Sequence, residues 1–195
     1  MTRLYFVRHA ETDYSERSES FRQLSPKGEA ACPCVTKFLA DKHIDAVISS
    51  PYIRAVDTLR DFADSYNFRI KIISDLRERR VGREWLTDFE AFCRRQWEDF
   101  DFSLEGGESL AAVQRRNISA MRKILSEYRG KHIAVGTHGT SLCTIMNYYM
   151  PEFGYADFAR IRPLMPHIVR MDFEGQQFLN AQEYDIFSEI PAMKG

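Results

Sequence analysis

The sequence contains no long apolar run. The first apolar run, residues 4–7, is far too short for the core of a signal peptide or for a membrane span. No other stretch approaches the required length. Lysine and arginine total 27 against 28 aspartates and glutamates, so the formal charge of −1 provides no general attraction for nucleic acid or for an anionic membrane. We therefore expect a cytoplasmic protein that binds neither, with any anion site built locally from a few arginines.

Cysteine is also scarce, and its spacing does not match a redox or zinc motif. Of the four cysteines, Cys32 and Cys34 form C-x-C rather than C-x-x-C, while Cys93 and Cys143 stand alone. No second closely spaced Cys/His pair completes four ligands, and no acidic cluster has the spacing of a magnesium or calcium site. Without a secretory signal the thiols should be reduced. We predict no metal and no cofactor.

What the chain does contain is an alternation of short β-rich runs with helical patterns. The runs that predict strands are residues 4–7, 46–48, 69–73, 131–136 and 167–173. The last run alternates less cleanly and predicts an edge strand that could run antiparallel to its neighbour. Such alternation indicates an α/β fold of three layers (α/β/α), with a mainly parallel sheet and helices on both faces. The 195 residues suffice for a single domain, 1–195, with a sizeable core.

The helices are recognisable by their first residues. Ser25 and Ser50 each precede a proline, which places a hydroxyl cap directly before a residue suited to the first helical position. Pro33 lies inside the first of these helices and should kink it or break its first half. The longest predicted helix spans residues 108–128, where apolar side chains recur at three- and four-residue intervals, and Gly130 follows as a stop signal.

Residues 74–107 interrupt the alternation and predict an inserted cap over a site. The segment begins with a cluster of arginines: Arg77, Arg79, Arg80 and Arg83. We interpret the cluster as a solvated face, with selection of a polyanionic substrate as the alternative. The acids expected to balance it are Asp75, Glu78 and Glu84. A stretch of aromatic residues follows, which we interpret as the packed underside of the cap: Trp85, Phe89, Phe92, Trp97, Phe100 and Phe102.

Three short polar segments each directly follow a predicted strand. They are RHAET at residues 8–12, SSPYIR at residues 49–54 and THGT at residues 137–140. In an open parallel sheet, ligands bind outside the carboxyl ends of the strands. Four side chains should therefore converge there, together with helix N-terminal amides that suit an anion: Arg8, His9, Arg54 and His138. Guanidinium and imidazole groups around one point fit a phosphoryl group.

These segments resemble the signature of the histidine phosphatase superfamily, in the branch that includes cofactor-dependent phosphoglycerate mutases and small phosphatases. The resemblance covers nearly the whole chain. Weaker marks of it are L-x-E at residues 76–78 and GGES at residues 106–109. Two positions depart from the family pattern. Ala10 replaces the usual glycine after the nucleophilic histidine, and Ser15 replaces an asparagine that is often found six residues after that histidine.

The resemblance implies a role for each residue of the cluster. His9 would be the nucleophile and would pass through a phosphohistidine, while Arg8, Arg54 and His138 would bind the transferring oxygens and Glu78 would donate a proton to the leaving group. Elementary chemistry agrees, because a neutral imidazole is nucleophilic near pH 7, cations stabilise charge on phosphoryl oxygens, and an alkoxide needs a proton. Four further residues are predicted to contact the substrate: Thr12, Ser15, Gly139 and Thr140.

The resemblance implies a phosphoric monoester hydrolase of the histidine acid type, and it leaves two alternatives. A phosphoglycerate-type mutase must enclose its phosphoenzyme, and residues 74–107 offer less enclosing material than mutases have, so hydrolysis of a small phosphorylated metabolite is favoured. The pocket could also bind a phosphorylated ligand without turnover. The residues reveal neither the substrate, nor the oligomeric state, nor the role of Pro33. The remaining histidines are interpreted as structural: His43, His132 and His167.

Overall fold

The computed structural model of the protein describes residues 1–16, 18–83 and 86–187. Its strands are β1 (Thr2–Arg8), β2 (Ala46–Ser49), β3 (Ile70–Ile72), β4 (His132–Thr137), β5 (His167–Glu174) and β6 (Gln177–Tyr184). Its α-helices are α1 (Pro26–Leu39), α2 (Ile53–Ser65), α3 (Phe89–Glu98), α4 (Leu110–Glu127), α5 (Gly139–Tyr149) and α6 (Tyr155–Ile161), and a short 3-10 helix covers Ser74–Leu76. Within the described ranges, no helix is long and apolar enough to cross a membrane.

The strands form one sheet in the order β3-β2-β4-β1-β5-β6. The first four in this order pair in parallel, whereas β5 pairs antiparallel with β1 and with β6. The prediction of a mainly parallel sheet is confirmed, but the prediction that residues 167–173 form the edge is wrong, because β6 lies outside them. The sequence pattern misses β6, since polar residues such as Gln177, Asn180 and Gln182 interrupt it. Gly175, at a φ of 59°, makes the tight turn between the two strands.

Alternate side chains of the strands enter two separate cores. On one face of the sheet, Leu4 and Phe6 of β1 pack with buried side chains of α3, α4, α5 and α6. On the other face, Tyr5 and Val7 pack with buried side chains of α1 and α2. The predicted three-layer α/β/α architecture, with helices on both faces of the sheet, is confirmed.

Helix α1 begins as predicted. The Ser25 side chain accepts a backbone N–H from the first turn (3.1 Å), and Pro26 occupies the first helical position. Of the two effects expected at Pro33, a kink or a break, the break does not occur, because the helix is continuous through it. Buried side chains after the proline, including Val35 and Leu39, hold the second half in the core, which offsets the one backbone hydrogen bond that proline cannot make.

Helix α2 begins later than its sequence suggests. Ser50 does not cap it, and Tyr52 is the N-cap residue before the first helical residue, Ile53. The predicted start at residue 51 is therefore wrong by two residues. The Ser50 hydroxyl instead contacts the ring of His138, with 2.6 Å between Oγ and Nε2. Cap propensity describes only neighbours in sequence, so it cannot anticipate this tertiary contact.

Helix α4 lies inside the range predicted for it. Ser109 is its N-cap, and the Ser109 side chain accepts the backbone N–H of Ala112 (3.2 Å). Tyr128 is the C-cap residue, and Gly130 follows at a φ of 76°, a conformation that favours glycine. The helix therefore starts two residues after Glu108, which is left outside it and free to make tertiary contacts.

The inserted segment 74–107 packs onto the core through its aromatic side chains. Phe92 is buried, and Trp97 lies against Phe158, with ring centroids 5.7 Å apart. Phe89 departs from this pattern, since 40% of it is exposed and its ring lies 5.5 Å from the guanidinium of Arg79. The acid Glu84 and the aromatic Trp85, for which the sequence predicts roles in this segment, lie outside the described residues. That the segment caps a site stays a prediction.

The arginines of this segment do not share one environment. Arg79 is buried, is hydrogen bonded to Gln96 and lies over the ring of Phe92, 4.9 Å from its centroid. Arg83 is exposed and pairs with Glu105 (2.8 Å). The interpretation of the cluster as a solvated face is therefore wrong for Arg79, whose guanidinium ties the start of the segment to α3 within it.

Candidate active site

The three polar segments lie side by side because β2, β4 and β1 are neighbours in the sheet. Backbone pairing continues past the strand ends: the His9 amide donates to the Thr137 carbonyl (3.1 Å), and the Ser50 amide donates to the Gly136 carbonyl (2.9 Å). These bonds fix the path of the segments at the carboxyl edge of the sheet. The rings of His9 and His138 consequently lie with their centroids 5.4 Å apart.

His9 is buried and held in one tautomer. Its Nδ1 lies 2.8 Å from the carbonyl oxygen of Ala10, and because a carbonyl only accepts, Nδ1 must carry the hydrogen. The lone pair is then on Nε2, where a nucleophile needs it. Burial, followed by the positive charges of Arg54 and Arg8, holds the pKa of His9 well below its usual value of 6.5. The ring is therefore neutral at pH 7 and able to attack an electrophile.

His138 is fully buried beside His9. Its Nε2 contacts the Ser50 hydroxyl (2.6 Å), and its Nδ1 has no hydrogen-bond partner among the described residues. Burial, followed by the charge of Arg54, holds the pKa of His138 well below the usual value. A buried polar nitrogen without a partner costs free energy, so Nδ1 is a candidate contact for a ligand oxygen.

One nitrogen of the Arg8 guanidinium binds backbone carbonyls, and another is a candidate contact for a ligand. Its Nη1 donates to three backbone carbonyls at the end of α6, those of Ile161, Arg162 and Leu164 (2.8, 2.8 and 2.9 Å). Its Nε is buried and lacks a hydrogen-bond partner within the described part of the chain, which makes it a second candidate contact for an anion. Gly139 leaves room for this arrangement, because a side chain there would come within 3.3 Å of the guanidinium.

Arg54 lies in the first turn of α2 and is buried. Its Nη2 contacts the Glu19 carboxylate (2.9 Å), and its Nη1 contacts the Glu19 backbone carbonyl. The same carboxylate pairs with buried Arg22 (3.0 Å), whose charge also helps to lower the pKa of His9. Glu19 therefore holds two arginines beside the histidine pair. A phosphoryl group that binds Arg54 would compete with this carboxylate.

Sequence patterns miss both Glu19 and Arg22. The sequence between Thr12 and Ser25 has no periodic pattern, and its described residues, 13–16 and 18–24, lie in none of the helices or strands that would place their side chains. The sequence offers one signal for Arg22. It is a basic residue three positions before the helix cap at Ser25, in a loop that directly follows the RHAET segment. With Arg22, the buried cations around His9 number three among the described residues.

Glu78 lies at the amino end of α5, which begins directly after His138. Its carboxylate accepts the backbone N–H groups of Thr140 (2.9 Å), Ser141 (3.2 Å) and its neighbour Arg79 (2.7 Å). Two of these donors, Thr140 and Ser141, belong to the first turn of α5. The Thr140 amide is therefore bound to Glu78, and a contact between Thr140 and a substrate stays a prediction.

The model of the histidine phosphatase superfamily (branch 1) matches residues 4–184 of the sequence. The chain belongs to the histidine phosphatase superfamily. The bifunctional protein Rv2228c of Mycobacterium tuberculosis is 32% identical to it over 153 residues, which cover 72% of this chain and 42% of that protein. The chain thus spans less than half the length of the mycobacterial relatives that it matches.

Two further proteins resemble this member of the superfamily along most of their length. Phosphoserine phosphatase 1 of Hydrogenobacter thermophilus is 24% identical over 174 residues, which cover 78% of this chain and 80% of that protein. A variant of phosphoserine phosphatase from Entamoeba histolytica, solved in complex with phosphoserine, has a TM-score of 0.76 over 97% of this chain and 100% of that one, at 17% identity. An identity this low supports the fold alone.

The glutamate of the superfamily's GGES segment, Glu108, organises the backbone that carries Glu78. It accepts hydrogen bonds from Arg116 at Nε (2.9 Å) and Nη2 (3.1 Å) and pairs with Arg77 (3.1 Å). Although burial alone would raise the pKa of Glu108, the bonds from Arg116 lower it. Arg116 also donates to the backbone carbonyls of Asp75 (2.8 Å), Arg77 (2.7 Å) and Glu78 (3.2 Å). The Glu78 backbone is thereby tied to α4.

The remaining predicted contacts of the superfamily site lie in unequal surroundings. Thr12 is buried and forms an isolated bridge with Leu24. Ser15 is exposed, and its amide donates to the Asp13 carboxylate (2.8 Å). In residues 1–16, 18–83 and 86–187, no group of three or more His, Cys, Asp or Glu side chains is placed to hold a metal ion. The roles of Thr12 and Ser15 in substrate binding stay predictions.

Proposed function

We propose that the protein is a phosphatase that hydrolyses phosphomonoesters of a small metabolite through a phosphohistidine at His9. The observation that carries the proposal is a buried, neutral imidazole whose Nδ1–H is held by the Ala10 carbonyl, so that Nε2 keeps the lone pair. Three buried arginines, Arg8, Arg22 and Arg54, act on this ring electrostatically. A neutral nucleophile among fixed cations fits in-line attack on a phosphoryl group.

The reaction takes two steps on these residues. In the first, Nε2 of His9 attacks phosphorus while the bond to the ester oxygen breaks, and the departing oxygen keeps the electron pair and takes a proton from the carboxylic acid form of Glu78. In the second, the Glu78 carboxylate takes a proton from water, whose oxygen attacks phosphorus and releases phosphate and neutral His9. Arg8, Arg54 and His138 bind the non-bridging oxygens in both steps.

The class of substrate is supported by the similar proteins. Two of them carry the name phosphoserine phosphatase, and one of these holds phosphoserine. Phosphoserine is a small phosphorylated metabolite, and we propose a substrate of that class without a choice among its members. Hydrolysis is favoured over mutase chemistry because the described part of the segment 74–107 has α3 as its one α-helix, which is little material to exclude water from a phosphoenzyme.

Hydrolysis of para-nitrophenyl phosphate and of a panel of metabolite phosphomonoesters, between pH 5 and 8 in EDTA, tests the proposal. His9→Asn is compared with His43→Asn, a matched control at an exposed residue whose φ of 52° asparagine tolerates. We expect His9→Asn to lose about 10²-fold or more in kcat and His43→Asn to match the wild type. A wild-type protein no faster than His9→Asn would refute the proposal. So would activity that EDTA abolishes and a divalent ion restores.

Trapping of the intermediate separates hydrolysis from the alternatives. Wild-type protein mixed briefly with a radiolabelled phosphoester and quenched in base should retain label on histidine, whereas His9→Asn should retain none. A label that persists until an acceptor such as a phosphoglycerate is added would favour a mutase instead. Tight binding of a phosphoester without any release of phosphate would favour a binding module instead.

A further inference from the structure

Ser50, which follows β2 directly, is held in place from several sides. It is fully buried, and its amide donates to the Gly136 carbonyl at the end of β4 (2.9 Å). Its Oγ lies 2.6 Å from Nε2 of His138 and also receives the amide N–H of Tyr52 (3.3 Å). The hydroxyl therefore already accepts one hydrogen bond, and its own hydrogen is available for the histidine ring.

The state of His138 decides the direction of this bond. Burial and the nearby charge of Arg54 keep the ring neutral, so it carries one N–H and one lone pair. With the hydrogen on Nε2, a buried lone pair would remain on Nδ1 and would repel a phosphoryl oxygen, which is also an acceptor. With the hydrogen on Nδ1, Ser50 donates its O–H to Nε2 and the ring presents an N–H to the ligand. Nδ1 has no other partner among the described residues.

We propose that Ser50 is a positioning residue that holds His138 in the Nδ1–H tautomer, so that Nδ1 donates to a phosphoryl oxygen of the substrate. The inference rests on the proposed function, because it assigns one of the donors that bind the transferring group. Ser50 itself does not touch the substrate and acts only through His138. Loss of one such donor lowers kcat by about 10²-fold, and this is the effect expected when the Ser50 hydroxyl is removed.

The experiment compares Ser50→Ala with Ser49→Ala. Ser49 is the preceding residue, is fully buried, and has an Oγ without a hydrogen-bond partner in the described part of the chain. Its replacement removes the same atom from the same strand end and leaves the contact with His138 intact. The ring nitrogens of His138 are observed by nitrogen NMR of labelled protein and assigned by their absence in His138→Gln. The kinetic constants for para-nitrophenyl phosphate are measured in parallel.

In the wild type and in Ser49→Ala we expect a protonated Nδ1 and an unprotonated Nε2 on His138. In Ser50→Ala the proton should move toward Nε2 and kcat should fall about 10²-fold, because an oxyanion donor is lost. Ser50→Cys, with a weaker donor of similar size, should give an intermediate kcat.

A protonated Nε2 in the wild-type protein would overturn the inference, even if Ser50→Ala does not fold. Full activity in Ser50→Ala, with the wild-type tautomer retained, would also overturn it while leaving the phosphatase proposal intact. The two proposals can also separate in the other direction. A wild-type protein that hydrolyses no phosphoester, but whose His138 proton moves in Ser50→Ala, would refute the proposed function and support the tautomer assignment.

Discussion

Replacing Arg116 with glutamine would test whether the contacts behind Glu78 hold that residue in place. Arg116 donates to the backbone carbonyls of Asp75 and Arg77 (2.8 and 2.7 Å) and to the Glu108 carboxylate (2.9 Å). Glutamine is too short to reach all of these acceptors and carries no charge. The Glu78 backbone would therefore lose its attachment to α4.

The size of the effect follows from the burial of the pair. Only 11% of the Arg116 side chain and 14% of the Glu108 side chain are exposed, so solvent screens their attraction weakly. Removing one partner of a buried pair costs about 3–5 kcal/mol, and the remaining contact of Glu108 with Arg77 (3.1 Å) favours the lower end. We expect the free energy of unfolding to fall by about 3 kcal/mol. Since 1 kcal/mol shifts Tm by about 2–4 °C in a chain of this size, Tm should fall by about 6–12 °C.

The same substitution should lower kcat more than it raises KM. In the proposed mechanism Glu78 delivers a proton and does not hold the phosphoryl group, so its displacement slows the chemical step and leaves binding largely intact. A misplacement of this kind lowers kcat by about 10-fold or more. Urea denaturation followed by circular dichroism gives the free energy of unfolding, and steady-state kinetics with para-nitrophenyl phosphate gives kcat and KM.

Arg115→Gln is the matched control. Arg115 is the preceding residue on α4 and is exposed, so the same change of charge and size is made on the solvent side of the helix. Equal urea midpoints for Arg116→Gln and Arg115→Gln would refute the argument from burial. A lower Tm in Arg116→Gln with an unchanged kcat would refute the positioning of Glu78 and leave Arg116 a purely structural role.

Two further predictions concern the charges around the histidines. Glu19→Gln should lower the inhibition constant of inorganic phosphate about 5-fold, because a partly exposed carboxylate that competes for Arg54 is worth about 1 kcal/mol. Glu16→Gln on the same loop is the control. An inhibition constant that is unchanged or higher in Glu19→Gln would contradict the competition. The free energy of unfolding should fall as the pH drops below about 6.5, by about 1.4 kcal/mol per pH unit for each histidine. The reason is that the pKa values of His9 and His138 are lowered in the native chain, so below this pH the unfolded chain binds protons that the native chain does not. Urea midpoints at pH 7.0 and 5.5 measure this slope, and a His9→Asn variant as pH-sensitive as the wild type would count against a neutral His9.

The sequence predicts the central strands because a parallel sheet is covered on both faces and requires continuous apolar runs. In β1, residues 4–7 are all buried. The edge strand β6 cannot be found in this way, since none of its eight residues is buried and four of them are polar. The start of α2 is missed for another reason. Ser50 has the local signature of a helix cap, but His138, 88 residues away in sequence, binds its hydroxyl.

The residues of the candidate site likewise differ in whether the sequence predicts them. His9 and His138 directly follow strands and Arg54 lies in the first turn of a helix, so the geometry of a parallel sheet predicts their meeting before any side-chain contact is known. Arg22 and Glu19 enter through a loop without a regular pattern, and their contacts depend on the path of that loop over α2. Local patterns predict which residues share an edge of the sheet, whereas tertiary packing decides which of their hydrogen-bonding groups are already occupied.

The anchor of Arg8 lies far away along the chain, since Ile161 is 153 positions beyond it. During synthesis β1 is made before α6, so the Arg8 guanidinium has no carbonyl groups of α6 to bind until that helix has emerged and docked. An incomplete translation product can therefore contain the RHAET segment and still lack a finished pocket. The Arg8 guanidinium should therefore be anchored only in chains that extend beyond Leu164.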